Sequence, residues 1–186
     1  MRVLGITGSL RRDSYNHALL RAAAERLPAG AELVEFERLR EIPPYDSDLE
    51  AAETPAAVAE LRQAMREADA VLVATPEYNH SIPGALKNAF DWASRPAGQS
   101  ALTGKPAAVI GASTGMFGAV WAQAEARKVL GALGGRVVEA ELPVARAAEL
   151  YKGGSLELSP EQSEQLEAIL AELAVAVEQL HEPVAA

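Results

Sequence analysis

Near its amino terminus the chain reads "RVLGITGSLRRDSYNHALL" (residues 2–20). The continuous apolar run at residues 2–7 is typical of a strand that is buried on both faces of a sheet. Apolar side chains then recur at helical spacing over residues 14–27, and Pro28 and Gly30 end that helix. Between the strand and the helix lies a turn rich in serine, arginine and asparagine. A simple turn does not require so many hydrogen-bonding groups.

The alternation of strand and helix continues along the chain. Further strands are predicted at residues 31–37, 68–75, 105–113 and 135–140, and further helices at 55–67, 84–94, 119–133 and 160–180. Residues 40–50 and 152–155 are predicted to be irregular loops. Strands separated by helices imply right-handed crossovers and a parallel sheet with helices on both faces. Five strands favour a flavodoxin-like, doubly wound α/β fold with strand order 2-1-3-4-5, which we expect to form a single domain over residues 1–186.

Composition excludes several classes of protein. The 186 residues are 49% hydrophobic, which is enough for one well-packed core. A formal net charge of −9 argues against a nucleic-acid-binding surface. The chain has no cysteine, so disulfides, thiolate catalysis and cysteine-ligated metal sites are excluded. The first apolar run, about six residues, is too short for a signal peptide or a membrane span. We therefore expect a soluble cytoplasmic protein.

In a sheet of this kind, ligands bind beyond the carboxyl ends of strands 1, 3 and 4. The loop after strand 1 offers two serine hydroxyls, the Asn16 amide and the Arg11 guanidinium beside a helix N-terminus, a set that suits a phosphate monoester. It lacks the glycines of a dinucleotide-binding fingerprint and the lysine of a Walker motif. The alternative is an ordinary turn with Ser14 or Asp13 as the helix cap.

The loops after strands 3 and 4 are also unusual. "PEYNHSIPG" (residues 76–84) is stiffened by two prolines and combines Ile82 with polar groups, which suits a flat ring with hydrogen-bonding edges. "STGMFG" (residues 113–118) contains two glycines, which allow the backbone to approach a ligand or simply form the turn. A plain surface loop remains an alternative for each of them.

Three stretches together resemble a known family. "GSLRRDSYN" (8–16), "PEYNHSIPGALKNAFDW" (76–92) and "GASTGMFGAVWAQ" (111–123) are similar, in order and spacing, to motifs of the NADPH-dependent FMN reductase family. That family includes small quinone, chromate and azo-dye reductases. The resemblance extends from residue 2 to about residue 140, and its middle stretch is the most specific part.

The resemblance implies a cofactor site that matches these three loops. It assigns the FMN phosphate to Ser9, Arg11, Ser14, Tyr15 and Asn16. It assigns one side of the isoalloxazine ring to Pro76, Glu77, Tyr78 and Asn79, largely through backbone groups, and the other side to Ser113 and Gly115. No catalytic side chain and no metal ligand is implied, and His80 receives no role.

The implied activity is NAD(P)H-dependent, two-electron reduction of quinone-like acceptors, with azo compounds or metal oxyanions as further candidates. Hydride donor and acceptor would use the same open ring face in turn, so turnover would be ping-pong. Arg12 and Arg95 are candidates to contact the 2′-phosphate of NADPH, or are ordinary surface arginines. The alternatives are a flavodoxin-like one-electron carrier and a response-regulator-like switch, although the carboxyl end of strand 1 lacks the switch's acidic pair.

Aromatic residues concentrate in one part of the chain, where Phe90, Trp92, Phe117 and Trp121 fall within about thirty residues. Helical spacing predicts that Phe90 faces the sheet and that Trp92, about 200° further round, points away from it. Trp121 is also expected on an outer face. Two outward tryptophans on neighbouring helices predict a homo-oligomer, either a dimer or a tetramer.

Overall fold

The computed structural model describes residues 1–181, so residues 182–186 of the predicted domain lie outside its described part. The strands are β1 (Arg2–Thr7), β2 (Glu32–Glu35), β3 (Ala70–Thr75), β4 (Pro106–Ala112), β5 (Arg136–Val137), β6 (Pro143–Val144), β7 (Tyr151–Lys152) and β8 (Ser155–Leu156). The helices are α1 (Tyr15–Ala24), α2 (Ser47–Ala52), α3 (Ala56–Glu67), α4 (Gly84–Ala93), α5 (Val120–Ala132), α6 (Ala147–Leu150) and α7 (Pro160–His181).

The main sheet is parallel and has the strand order β2-β1-β3-β4-β5, which confirms the predicted order. Every residue of β3 and β4 is buried, as expected for continuous apolar strands that are covered on both faces. One core cluster joins the sheet to α3, α4 and α5, and a second joins its other face to α1 and α7. Helices therefore cover both faces of the sheet.

The fifth strand differs from its prediction, because it is divided into β5 and β6. Pro106 pairs with Arg136 and Gly111 pairs with Pro143, so β4 advances five residues while its partner advances seven. The buried Gln123 side chain accepts a hydrogen bond from the Leu142 N–H (3.0 Å) and donates one to the Gly118 carbonyl (3.0 Å). A side chain from α5 thus satisfies the backbone where the strand is interrupted.

Two segments that were predicted to be irregular contain regular structure. Residues 40–50 overlap a 3-10 turn at Leu39–Glu41 and helix α2, whose N-cap Asp46 accepts a hydrogen bond from the Asp48 N–H (2.8 Å). Residues 152–155 form the tip of the β7–β8 hairpin, with Gly153 and Gly154 at positive φ. Asx capping and a pair of glycines are the local signals that the loop predictions missed.

The prediction that Trp92 points outward is wrong, since its side chain is fully buried. Its indole N–H donates to the Pro43 carbonyl (2.8 Å), and its ring meets the Tyr45 ring edge-on at 5.0 Å. Arg62 also lies close to the ring, with its guanidinium 5.7 Å from the ring centroid. The segment that contains Pro43 and Tyr45 folds over the outer side of α4, and the helical periodicity of α4 alone does not reveal that cover.

Within residues 1–181, no helix combines the length and the apolar character needed to cross a bilayer.

Candidate functional site

The loops after β1, β3 and β4 meet at the carboxyl edge of the sheet around a cavity of about 150 Å³. Nine of the residues predicted to hold the flavin line this cavity: Ser9, Arg11, Ser14, Tyr15, Asn16, Pro76, Glu77, Tyr78 and Ser113. Ala112 and Thr114 complete the lining, and Asn79 and Gly115 lie outside it. We call it the carboxyl-edge cavity.

We call the loop from Gly8 to Ser14 the β1–α1 loop. Its two serine side chains form hydrogen bonds to nearby backbone N–H groups. The Ser9 hydroxyl accepts a hydrogen bond from the Arg11 N–H (3.3 Å). Ser14 is the N-cap of α1 and accepts from the Asn16 N–H (3.1 Å), so of the two cap candidates Ser14, and not Asp13, caps the helix. Both hydroxyl groups act only as acceptors in these contacts, so each retains its proton to donate to a ligand. Capping and ligand binding are therefore compatible at Ser14.

The β1–α1 loop presents several unused donors. The backbone N–H groups of residues 12–15 donate to no group within the described part of the chain. Arg11 forms no ion pair there either, and its guanidinium lies 4.6 Å from the centroid of the Tyr15 ring. Consecutive free N–H groups, a helix N-terminus and an uncompensated guanidinium form a site suited to a multiply charged anion.

Asn16 has a structural function that the sequence analysis did not predict. Its side-chain amide donates to the Ala112 carbonyl and its side-chain oxygen accepts from the Ala112 N–H, each at 2.9 Å. These two bonds join the start of α1 to the end of β4 across the sheet. One amide N–H of Asn16 remains available to the cavity.

The loop after β3 contains a tight turn. The Tyr78 and Ser81 backbones exchange two hydrogen bonds of 2.9 and 3.2 Å, and the residues between them, Asn79 and His80, have φ of 53° and 60°. Two successive positive φ values identify a turn of the hairpin type, in which asparagine is well tolerated. The Asn79 N–H donates to no described group. His80 is 77% exposed, and its ring packs edge-on against Trp121 at 4.9 Å.

Glu77 links the loop after β3 to α5, the helix that follows the loop after β4. Its side chain is only 14% exposed, and its carboxylate accepts hydrogen bonds from the N–H groups of Trp121 (3.1 Å) and Ala122 (3.3 Å). These are first-turn groups of α5, whose own N-cap residue, Ala119, has no side chain that can bond to them. Glu77 therefore caps α5 from another loop. A lone glutamate beside a tyrosine carries no sequence signal for this contact.

The loop after β4 is held close to β6. The Ser113 N–H donates to the Val144 carbonyl (3.0 Å), and the Gly115 carbonyl accepts from the Arg146 N–H (3.0 Å). Gly118 has φ of 57°, and a Cβ there would lie 2.4 Å from the Pro143 carbonyl carbon. Only glycine fits at that position, so it serves the packing of the turn.

Comparison with known proteins identifies the same family that the three loop motifs resemble. The chain matches the family described as NADPH-dependent FMN reductase over residues 1–149. It is 50% identical over 130 residues to an NAD(P)H-dependent FMN reductase of Pseudomonas aeruginosa, covering 70% of this chain and 69% of the relative. It is 41% identical over 153 residues to a quinone reductase of Pseudomonas putida, covering 82% and 78%.

A solved structure extends the likeness over almost the whole chain. FerB, a flavoenzyme NAD(P)H:(acceptor) oxidoreductase from Paracoccus denitrificans, superposes with a TM-score of 0.83 and 37% sequence identity, covering 96% of this chain and 97% of that one. Fold, motif order and sequence identity therefore agree, and the chain belongs to the NADPH-dependent FMN reductase family.

Proposed function

We propose that this protein is an FMN-containing, NAD(P)H-dependent oxidoreductase that reduces quinones. The observation that carries the proposal is the β1–α1 loop, with four consecutive free N–H groups and an uncompensated Arg11 at the entrance of α1. A phosphate monoester has nearly two negative charges and three acceptor oxygens, so it fits this donor set better than a neutral ligand does. Membership of the family supports FMN as the molecule that carries the phosphate.

In this proposal each of the three loops binds a different part of the cofactor. Ser9, Arg11, Ser14, Tyr15 and Asn16 bind the phosphate, and the ring lies between the two remaining loops. Pro76, Glu77, Tyr78 and Asn79 line one side of the ring, and Ser113 and Gly115 line the other. The free N–H of Asn79 supports a backbone contact to the ring edge.

When bound, FMN would supply the chemistry of two-electron transfer from NAD(P)H to the acceptor. The chain's residues bind and orient the ring, and their N–H groups stabilise negative charge that develops on it. No side chain has to act as a general acid or base in this scheme, so none is assigned as catalytic. Small planar acceptors such as quinones would occupy the open ring face after the nicotinamide has left.

The exposed apolar surface near the ring loops supports self-association. Met116, Phe117 and Trp121 are 70%, 57% and 42% exposed, and the Phe117 and Trp121 rings pack edge-on at 4.9 Å. Adjoining apolar side chains of this size are typical of interfaces. We infer a homodimer or homotetramer built through this surface, which we call the aromatic patch, with residues 1–186 of each copy forming one domain. We also infer that the protein works in the cytoplasm.

An anaerobic titration of the FMN-loaded protein with NADPH tests the proposed function. We expect the yellow absorbance to bleach in one two-electron step and to return when a quinone is added. Reduction in two resolved one-electron steps without quinone turnover would instead identify a one-electron carrier. A purified protein that does not retain FMN at micromolar concentration would contradict the cofactor assignment.

A further inference from the structure

The β7–β8 hairpin packs against α1, although it lies beyond residues 1–149, the part of the chain that matches the family. Tyr151 pairs with Leu156 across the two strands, and Leu156 is buried in the core cluster that contains α1. At the tip of the hairpin, Arg21 of α1 donates from Nη2 to the Gly154 carbonyl (2.7 Å). The hairpin is therefore held against α1 at its base and at its tip.

Three side chains contact one another in series from this hairpin to the β1–α1 loop. The rings of Tyr151 and Tyr15 meet nearly edge-on, with centroids 5.2 Å apart and planes at 72°. The Arg11 guanidinium in turn lies over the Tyr15 ring, 4.6 Å from its centroid. Arg11 and Tyr15 line the carboxyl-edge cavity, whereas Tyr151 lies outside it. Tyr151 therefore supports residues of the cavity without lining the space that a ligand would fill.

The Tyr15 ring restrains the Arg11 side chain, which forms no ion pair with the described residues. An arginine side chain has many rotamers, and the loss of that freedom on binding reduces affinity for a ligand. A guanidinium that already rests on a ring loses less of it. Because an edge-on neighbour restrains the ring itself, the position of Arg11 also depends on Tyr151.

The segment around the hairpin is also joined to the loop after β4. The Ala147 N–H donates to the Ser113 carbonyl (2.9 Å), next to the bond between Arg146 and Gly115. The Glu157 N–H then donates to the Leu150 carbonyl (2.9 Å) and closes the segment behind the hairpin. Residues 146–157 thus contact both α1 and the loop after β4, so Tyr151 belongs to a well-anchored segment.

We propose that Tyr151 is a positioning residue for the FMN phosphate, because through Tyr15 it holds the Arg11 guanidinium in place at the carboxyl-edge cavity. This inference rests on the proposed function, since it assumes that Arg11 contacts that phosphate. Without the Tyr151 ring, Arg11 keeps its charge but gains rotamer freedom. Binding of the phosphate should then weaken, whereas binding of the isoalloxazine ring should not change.

Fluorescence titration of the full-length chain with FMN and with riboflavin tests the inference without turnover. We expect Tyr151→Ala to weaken FMN binding about two- to tenfold, the range that one edge-on aromatic pair provides, and to leave riboflavin binding unchanged. The Tyr151 hydroxyl forms no hydrogen bond with the described residues, so Tyr151→Phe should bind FMN as the wild type does. Tyr151→Leu keeps apolar packing without the ring, and should reproduce the selective loss even if the alanine variant is unstable.

Tyr45→Ala is the matched control. Tyr45 also meets another ring edge-on, that of Trp92 at 5.0 Å, and has a guanidinium over its own ring, that of Arg95 at 5.4 Å. It lies outside the carboxyl-edge cavity. Its removal should therefore lower Tm and leave the ratio of FMN affinity to riboflavin affinity at the wild-type value.

A double-mutant cycle distinguishes positioning from general destabilisation. If Tyr151 acts through Arg11, Tyr151→Ala should cause no further loss of FMN affinity in a chain that already carries Arg11→Ala. Losses that add in the double variant would overturn the inference, and so would equal losses of FMN and riboflavin in Tyr151→Ala.

Failure of the proposed function has a different signature. Arg11→Ala would then weaken FMN and riboflavin equally, which would overturn both the phosphate assignment and the role of Tyr151. A selective loss of FMN in Arg11→Ala, together with wild-type FMN affinity in Tyr151→Ala and Tyr151→Leu, would overturn the role of Tyr151 alone.

Discussion

Arg11 is the residue that best tests whether the β1–α1 loop binds phosphate, as proposed, or is an ordinary turn. Its guanidinium stacks on Tyr15 and has no carboxylate partner, so its charge is available to an anion. We predict that Arg11→Ala weakens FMN binding about ten- to a hundredfold, since a charge-assisted contact contributes about 1.5–3 kcal/mol. Riboflavin, which lacks the phosphate, should bind almost as well to the variant as to the wild type. Fluorescence titration of the flavin-free protein measures both ligands, and equal losses would contradict the assignment.

Asn79 supplies a second prediction at this scale. With φ of 53° it occupies a conformation that asparagine tolerates better than alanine does, and that proline cannot adopt. Asn79→Ala should lower the free energy of unfolding by about 1 kcal/mol relative to Asn79→Gly, while both variants retain FMN because the backbone N–H is kept. Urea unfolding and FMN titration measure the two effects. A loss of FMN affinity in Asn79→Ala as large as that in Arg11→Ala would show that the side chain makes the contact.

Single residues also show which features could be predicted from the sequence and which could not. The β1–α1 loop was predictable because its donors are adjacent in sequence and precede a helix. The Asn16–Ala112 bridge was not, because its partners are 96 residues apart and only the sheet order brings them together. Trp92 was misplaced because a helical projection treats α4 as if its outer side met solvent.

At the scale of elements, the Glu77 contact with α5 connects the two loops proposed to enclose the ring. Removing the carboxylate in Glu77→Ala leaves two first-turn N–H groups without their acceptor, which costs about 1 kcal/mol, or about 2–4 °C in Tm for a chain of this size. Glu77→Gln keeps an acceptor oxygen and should recover most of that loss. Thermal unfolding of both variants checks this. Equal destabilisation by alanine and glutamine would show that charge, and not the hydrogen bonds, stabilises the helix end.

The same variants test whether the cap positions the ring loops. Glu77→Ala should also shift the flavin midpoint potential, because the loop carrying Asn79 loses its tie to α5, whereas Glu77→Gln should restore the wild-type potential. A purely structural cap would change Tm and leave the potential unaltered.

Helices and central strands were predicted well because each carries a recognisable pattern in its own sequence, a helical period or a continuous apolar run. Strands β3 and β4 are continuous apolar runs, and α4 and α5 begin and end within one residue of their predicted bounds. The split between β5 and β6 was not predicted, because the acceptor that satisfies the interruption, Gln123, lies on another element. Local sequence patterns therefore predict helices and strands, whereas contacts between these elements determine where each of them ends or is interrupted.

At the scale of the whole molecule, the distribution of charged side chains indicates where an anionic ligand could bind, which the net charge does not. The protein is acidic, yet the β1–α1 loop beside the carboxyl-edge cavity contains two arginines, Arg11 and Arg12, that form no ion pair with the described residues. In the proposed function, this local positive charge would attract a phosphate ester to one edge of the sheet. The exposed aromatic patch lies near the same edge, so self-association and ligand binding would share a region of the surface.

The last prediction concerns that patch. A standard interface buries about 800 Å² per partner around a few large apolar side chains. Trp121→Lys places a charge at the patch and should shift the sedimenting species to a smaller one at micromolar concentration. Val175→Lys is the matched control, since Val175 is 49% exposed on α7, on the opposite face of the sheet, and should leave assembly unchanged. Trp92 is unsuitable for this test because a lysine there would be buried. A wild-type protein that sediments as a monomer at this concentration would contradict the proposed assembly, and equal dissociation by both lysine variants would move the interface away from the patch.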